Sequence, residues 1–156
     1  MKASSPRGRE DDVAGYSGTP LPKKLGIKQG HRVALIGAPA GFEKTLGPLP
    51  DDVGLTAGAR GKAPLDVVVL FTKKKADLVR RFARLAERLA PAGGLWVAWP
   101  KKASCVATDL TEGVVREHGL AAGLVDNKIC AVDETWSGLR FVIRLKDRPR
   151  GKKAAR

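Results

Sequence analysis

Cysteine is nearly absent from these 156 residues: Cys105 and Cys130 stand singly, with no CxxC pair. This excludes the zinc and dithiol chemistries that paired cysteines carry. Free thiols in a reducing compartment are the expectation, and nothing in the spacing favours a disulfide. Long apolar runs are missing too. The run from Leu65 to Phe71 is interrupted by Asp66 and falls far short of the roughly 20 residues that a membrane-spanning helix needs. Met1 to Asp12 contains no apolar core of a secretory signal, so a cytoplasmic protein is expected. No metal-ligand spacing occurs, and His31 and His118 have no nucleophile at a recognised spacing. Acids are scarce: 16 Asp and Glu face 29 Lys and Arg, for a net charge of +13.

What is present reads as one α/β domain with room for a real core. His31–Gly37 and Leu65–Phe71 are near-continuous apolar runs, which suits strands buried on both faces. Phe42–Leu49 is a short helix stopped by Pro48 and Pro50, and Asp51–Pro64 is turn-rich with at most one short strand. Lys74–Ala90 is the clearest helix. Leu78, Phe82, Leu85 and Leu89 form its apolar face, while Arg80, Arg84 and Arg88 form a solvated stripe and Asp77 favours its start. Gly94–Trp99 is a strand with an abrupt polar exit at Lys101 and Lys102. Thr108 or Asp109 caps a second helix, Asp109 forming a capping box with Glu112, and that helix ends at Gly119. Leu124–Val132 and Leu139–Leu145, joined by a turn over Asp133–Gly138, pair antiparallel. The final strand therefore runs against the others.

Two resemblances follow from particular segments. Leu25–Val33, Leu89–Val97 and the terminal hairpin resemble the first-strand lead-in, a later strand entry and the closing hairpin of class I S-adenosylmethionine-dependent methyltransferases. Three further segments resemble the hallmarks of a small bacterial family of unknown function: Tyr16–Gly26, Trp96–Ser104 and Asp126–Leu139. The methyltransferase resemblance implies a shortened Rossmann-like sandwich, with a mainly parallel sheet and a C-terminal antiparallel hairpin. It also implies a cofactor loop at Gly37–Gly41. In that family an acid precedes the loop glycines; here Leu35 or Ile36 stands there, and Pro39 intrudes. A full fold also places a helix, a strand ending in a ribose-binding acid, a helix and another strand before Leu65. The 23 residues from Phe42 to Pro64 cannot hold all of that. Asp51 or Asp52 is the only candidate for the ribose acid.

The candidate ligand residues are Gly37, Gly41, Lys101, Lys102, Ser104, Asn127, Asp133, Glu134 and Trp136. Lys101 and Lys102 lie beyond a strand end, where open α/β sheets bind ligands. With Ser104, Thr108 and the helix start near Asp109 they compose a candidate phosphate or carboxylate site. Asn127 and Trp136 flank the hairpin with Asp133 and Glu134, a candidate acid and base; solvated turn carboxylates are the competing reading. The expected layout is a disordered tail over 1–15, the domain over 16–145 and a disordered basic tail over 146–156. The leading expectation is a non-catalytic domain that has lost cofactor binding and engages an anionic partner, nucleic acid or a phosphorylated ligand, partly through that tail. The alternative is a reduced S-adenosylmethionine-dependent methyltransferase. A third reading is a structural subunit docking on a larger assembly.

Overall fold

The computed structural model describes residues 19–148. In chain order the elements are α1 (Leu21–Leu25), β1 (Arg32–Ile36), α2 (Phe42–Leu46), β2 (Gly54–Thr56), β3 (Leu65–Phe71), α3 (Lys75–Glu87), β4 (Leu89–Pro100), α4 (Glu112–Ala121), β5 (Leu124–Ala131) and β6 (Trp136–Ile143). They build one six-stranded sheet in the order β2-β1-β3-β4-β6-β5. β1 pairs in parallel with β2 and β3, and β3 in parallel with β4, while β6 runs antiparallel to both β4 and β5.

Both faces of the sheet are covered, which is why its central strands read as unbroken apolar runs. On one face Ile36, Val68, Leu70 and Val97 cluster with Leu78, Phe82 and Val115 of α3 and α4. On the other, Val33, Val67, Val69 and Trp96 cluster with Leu25, Phe42 and Leu46 of α1 and α2. The buried Trp96 donates its indole N–H to the Leu25 carbonyl at 3.0 Å, pinning α1 to the sheet. Helix α4 approaches β6 so closely that a Cβ on Gly119 would stand 2.0 Å from the Phe141 ring.

Several boundaries differ from the sequence reading. α2 stops at Leu46, because Gly47 turns the chain at φ 81° before either proline is reached. α3 ends at Glu87 and β4 begins at Leu89, since Leu89 already pairs with Leu65 across the sheet. α4 continues past Gly119 to Ala121, and β6 takes up Trp136–Gly138. The arginine stripe is not simply solvated. Arg80 and Arg81 hold Asp77, and the Arg88 guanidinium donates to the carbonyls of Ala59 and Ala63. Leu145–Asp147 forms a turn of 3₁₀ helix; residues 1–15 and the tail beyond 148 lie outside the described residues.

The capping assignment is also corrected. Thr111 caps α4, accepting the Val114 N–H at 3.2 Å. Asp109 serves the other helix: its carboxylate accepts the Lys75 N–H at 2.7 Å, where α3 has no capping side chain of its own. Asp109→Ala should therefore destabilise the fold by about 1 kcal/mol. A urea titration would show this as a lower midpoint at unchanged slope, and an unchanged midpoint would refute it.

His118 sits on α4 edge-on to Phe82, ring centroids 5.2 Å apart. Burial, and then the charge of Lys75, hold its pKa below the ordinary 6.5. The unfolded chain thus binds a proton that the folded one resists, so stability rises with pH in this window. It is complete above pH 6.5 and declines as pH falls toward the folded-state value. The Tm loss between about pH 7.5 and about pH 5.5 should shrink in His118→Gln. An equal loss in both proteins would show that His118 is not its source.

Candidate ligand site at the strand ends

β1, β3 and β4 end side by side at Ile36, Phe71 and Pro100. β2 lies on one side of β1 and β3 on the other, so loop 37–41 stands where the strand order reverses. Sheets of this kind open a ligand crevice there. Two clefts flank the loop. One, about 490 Å³, lies toward the end of β2 and is lined by Leu35, Ala40, Gly41, Glu43, Thr56 and Ala57. The other, about 640 Å³, lies toward α3 and is lined by Pro39, Phe71, Thr72, Lys74, Arg80 and Trp136.

Gly37 belongs to both clefts. Its φ is 71°, and a Cβ there would lie 3.0 Å from the Phe71 carbonyl oxygen. The loop backbone therefore rests directly against the end of β3, which only glycine permits. Gly41, at φ 78°, begins α2 and has open space where a Cβ would be.

The larger cleft is aromatic on one side. Phe71 meets Phe42 edge-on at 4.9 Å and Trp136 at 5.2 Å. Its other side carries Lys73, Lys74 and Arg80. Asp77 also lines it. Burial alone would raise that carboxyl, but hydrogen bonds from Thr72, Arg80 and Arg81 outweigh burial and hold it below its ordinary value.

The structure gathers only part of the expected set. Gly37 and Trp136 share the larger cleft, and Gly41 lines the smaller one. Lys101 and Lys102 do follow a strand end, yet neither lines these two clefts. The Lys101 N–H donates to Thr135 at 2.7 Å, and the Ser104 hydroxyl donates back to the Lys101 carbonyl at 2.7 Å, so this loop is tied to itself and to the hairpin turn. Asp133 is a turn residue, its carboxylate accepting the N–H groups of Thr135 and Trp136 at 2.8 Å each. Glu134 is exposed. Asn127 lies in a separate cleft at the opposite, amino end of the parallel strands.

Asp51 and Asp52 cannot supply a ribose acid, because they precede β2 and so stand at its amino end. Its carboxyl end carries Thr56, whose hydroxyl donates to Gly58 O at 2.8 Å, and among the described residues the one carboxylate lining the cleft on this side is that of Glu43. The sequence reading missed Phe71 to Lys74 as site residues. The signal was the same apolar-to-lysine exit that drew attention to Pro100–Lys102. Among the described residues, no three His, Cys, Asp or Glu side chains come together as metal ligands, and no helix is long and apolar enough to cross a membrane. Cys105 is exposed and Cys130 half-buried, its thiol pushed up by burial against the opposing charges of Lys24 and Lys128.

No family model matches the chain and no curated protein is similar to it in sequence, so the likeness to the small bacterial family rests on the three segments alone. Solved structures do match. N-methyltransferase NodS from Bradyrhizobium japonicum WM9 is similar at 18% identity and a TM-score of 0.52, over 78% of this chain and 90% of that one. A DhpI–SAH complex is similar at 11% identity and a TM-score of 0.56, over 78% and 81%. A TehB-like SAM-dependent methyltransferase from Corynebacterium glutamicum is similar at 10% identity and a TM-score of 0.53, over 84% and 91%. At these identities the likeness establishes the fold: a mixed, mostly parallel six-stranded sheet with an antiparallel hairpin, of the Rossmann-like methyltransferase kind.

Proposed function

We propose that this chain is a reduced S-adenosylmethionine-dependent methyltransferase whose cofactor lies against loop 37–41. The observation that carries this reading is Gly37, held at positive φ against Phe71 at the switch point of the sheet, with a cleft on either side. The neighbours in fold favour it over the leading expectation of a domain without a cofactor. The smaller cleft would take the nucleoside, with Glu43 and Thr56 facing hydroxyl groups that a strand-end acid meets in a full fold. The larger would admit the methyl acceptor. The bound cofactor supplies a methyl group activated on a sulfonium.

This chain's own part is binding and orientation. The glycine backbone lets the ligand approach closely, and Phe71 with Trp136 forms an apolar wall that limits water. Lys73 and Lys74, in excess over the paired Arg80 and Asp77, favour an acceptor that carries negative charge.

Thermal denaturation with S-adenosylhomocysteine tests the reading. Ligand that binds only the native state, at 100 times its Kd, adds about 2.7 kcal/mol, and Tm should rise by several degrees. Glu43→Gln should reduce that rise. No rise at millimolar ligand, with no heat on calorimetric titration, would return the chain to the cofactor-free reading.

A further inference from the structure

A third cleft, about 390 Å³, opens at the amino ends of β1, β3 and β4, away from loop 37–41. Among the described residues it is lined by four cations, Lys24, Lys28, Lys128 and Arg140, against one acid, Asp66. That acid is already engaged, accepting the Arg32 N–H at 2.8 Å. Arg140 is the centre of the arrangement. It projects from β6 onto the face of β4 at Gly94, where a Cβ would come within 2.4 Å of its Nε. The second glycine of the Gly93-Gly94 pair thus makes room for a guanidinium rather than for a turn.

Among the described residues Arg140 has no carboxylate partner. The one hydrogen bond its guanidinium makes there runs from Nη1 to the Asn127 side-chain oxygen at 3.3 Å. It is half-buried, and burial, with Arg148 nearby, works against its charge. A desolvated cation without a counter-charge is costly. The neighbouring lysines add to that cost: Lys24 and Lys128 are fixed by hydrogen bonds of 3.0 Å to Ala131 and Lys24 carbonyls. An incoming oxyanion would relieve all of them together. His31 accepts the Lys28 N–H on Nδ1, which leaves Nε2 as the ring nitrogen that carries the hydrogen.

We propose that this amino-end cleft binds a small phosphate-bearing molecule, with Arg140, Lys128 and Lys28 as its ligands. The guanidinium offers a fork of donors matched to phosphate oxygens, and the lysines add point charges. The volume is at the small end of ligand clefts. Among the described residues no aromatic ring but His31 lines it to stack a base, which favours a small phosphate compound over single-stranded nucleic acid.

The test is calorimetric titration of the full chain with pyrophosphate and with inorganic phosphate, at ionic strength matched with chloride. Saturable binding is expected, at least about tenfold weaker in Arg140→Gln and in Lys128→Gln, because each removes a charge-assisted hydrogen bond. Lys128 is exposed, so its variant keeps the packing intact even if Arg140→Gln loosens β4. Binding of S-adenosylhomocysteine should be the same in both variants as in the parent, which separates this site from the strand-end clefts. Absence of saturable heat, or variants that bind as the parent does, would overturn the proposal. So would an RNA oligonucleotide that binds more tightly than pyrophosphate and depends on the same two residues.

Discussion

Gly119→Val is expected to cost about 3 kcal/mol or more, a large share of the roughly 5–15 kcal/mol that holds a domain together. In a helix, replacing glycine ordinarily stabilises by up to about 1 kcal/mol. Here the sign reverses. A Cβ at Gly119 would sit 2.0 Å from one Phe141 ring carbon and 2.5 Å from two others. The ring cannot retreat, being fully buried and edge-on to Phe82 at 5.3 Å. Either α4 lifts from the sheet or β6 shifts against β4. Gly113 in the same helix provides the control, since its added Cβ would meet only the Thr111 hydroxyl at 3.9 Å. Urea midpoints should fall for Gly119→Ala and Gly119→Val, and hold or rise for Gly113→Ala. A stabilised Gly119→Ala would mean that α4 does not pack as described.

The second large effect concerns binding. Gly37→Val should abolish the Tm rise produced by S-adenosylhomocysteine, whereas Gly41→Ala should only diminish it. Both glycines have positive φ, so both substitutions carry backbone strain of order 1–2 kcal/mol. Only at Gly37 does the new side chain also meet backbone, the Phe71 carbonyl at 3.0 Å. To relieve that contact the loop must move off the end of β3 and into the two clefts it separates. Equal behaviour of the two variants would show that strain alone, and not the shape of the loop, governs the site. Undiminished binding by Gly37→Val would place the ligand elsewhere.

The sheet was legible in the sequence because its strands are buried on both faces: Leu65–Phe71 reads as β3 to the residue. The antiparallel hairpin was legible as two β-rich runs joined by a turn, although its second strand starts three residues earlier, at Trp136. Helix ends were less so, because they depend on groups distant in sequence. Asp109 looks like a cap for the helix that follows it, yet it caps α3, 34 residues back. The same limit applied to the site. Gly37 could be chosen from its neighbours, but the wall formed by Phe71 and Trp136 joins residues from two strands that periodicity cannot bring together. Conversely, Asp133 reads either as a candidate acid or as a solvated turn carboxylate, because a carboxylate in a turn and one in a cleft are the same letter. What the structure adds is its place in the turn, with two N–H bonds accepted on one oxygen.

The stretch between β2 and β3 has a consequence for motion. Residues 57–64 return the chain from one end of the sheet to the other, with no helix to carry them. Among the described residues, the hydrogen bonds that reach 59–63 from the rest of the chain all come from Arg88, at the foot of α3. Opening this segment gives up the Arg88 contacts and the packing of Ala59 against the core, which is less than unfolding the sheet would cost. Ala57, at the near end of the segment, forms part of the smaller cleft. On that side the wall of the cleft is a loop held by Arg88 and by Ala59, so its exchange of amide hydrogens should be faster than that of the strands beside it.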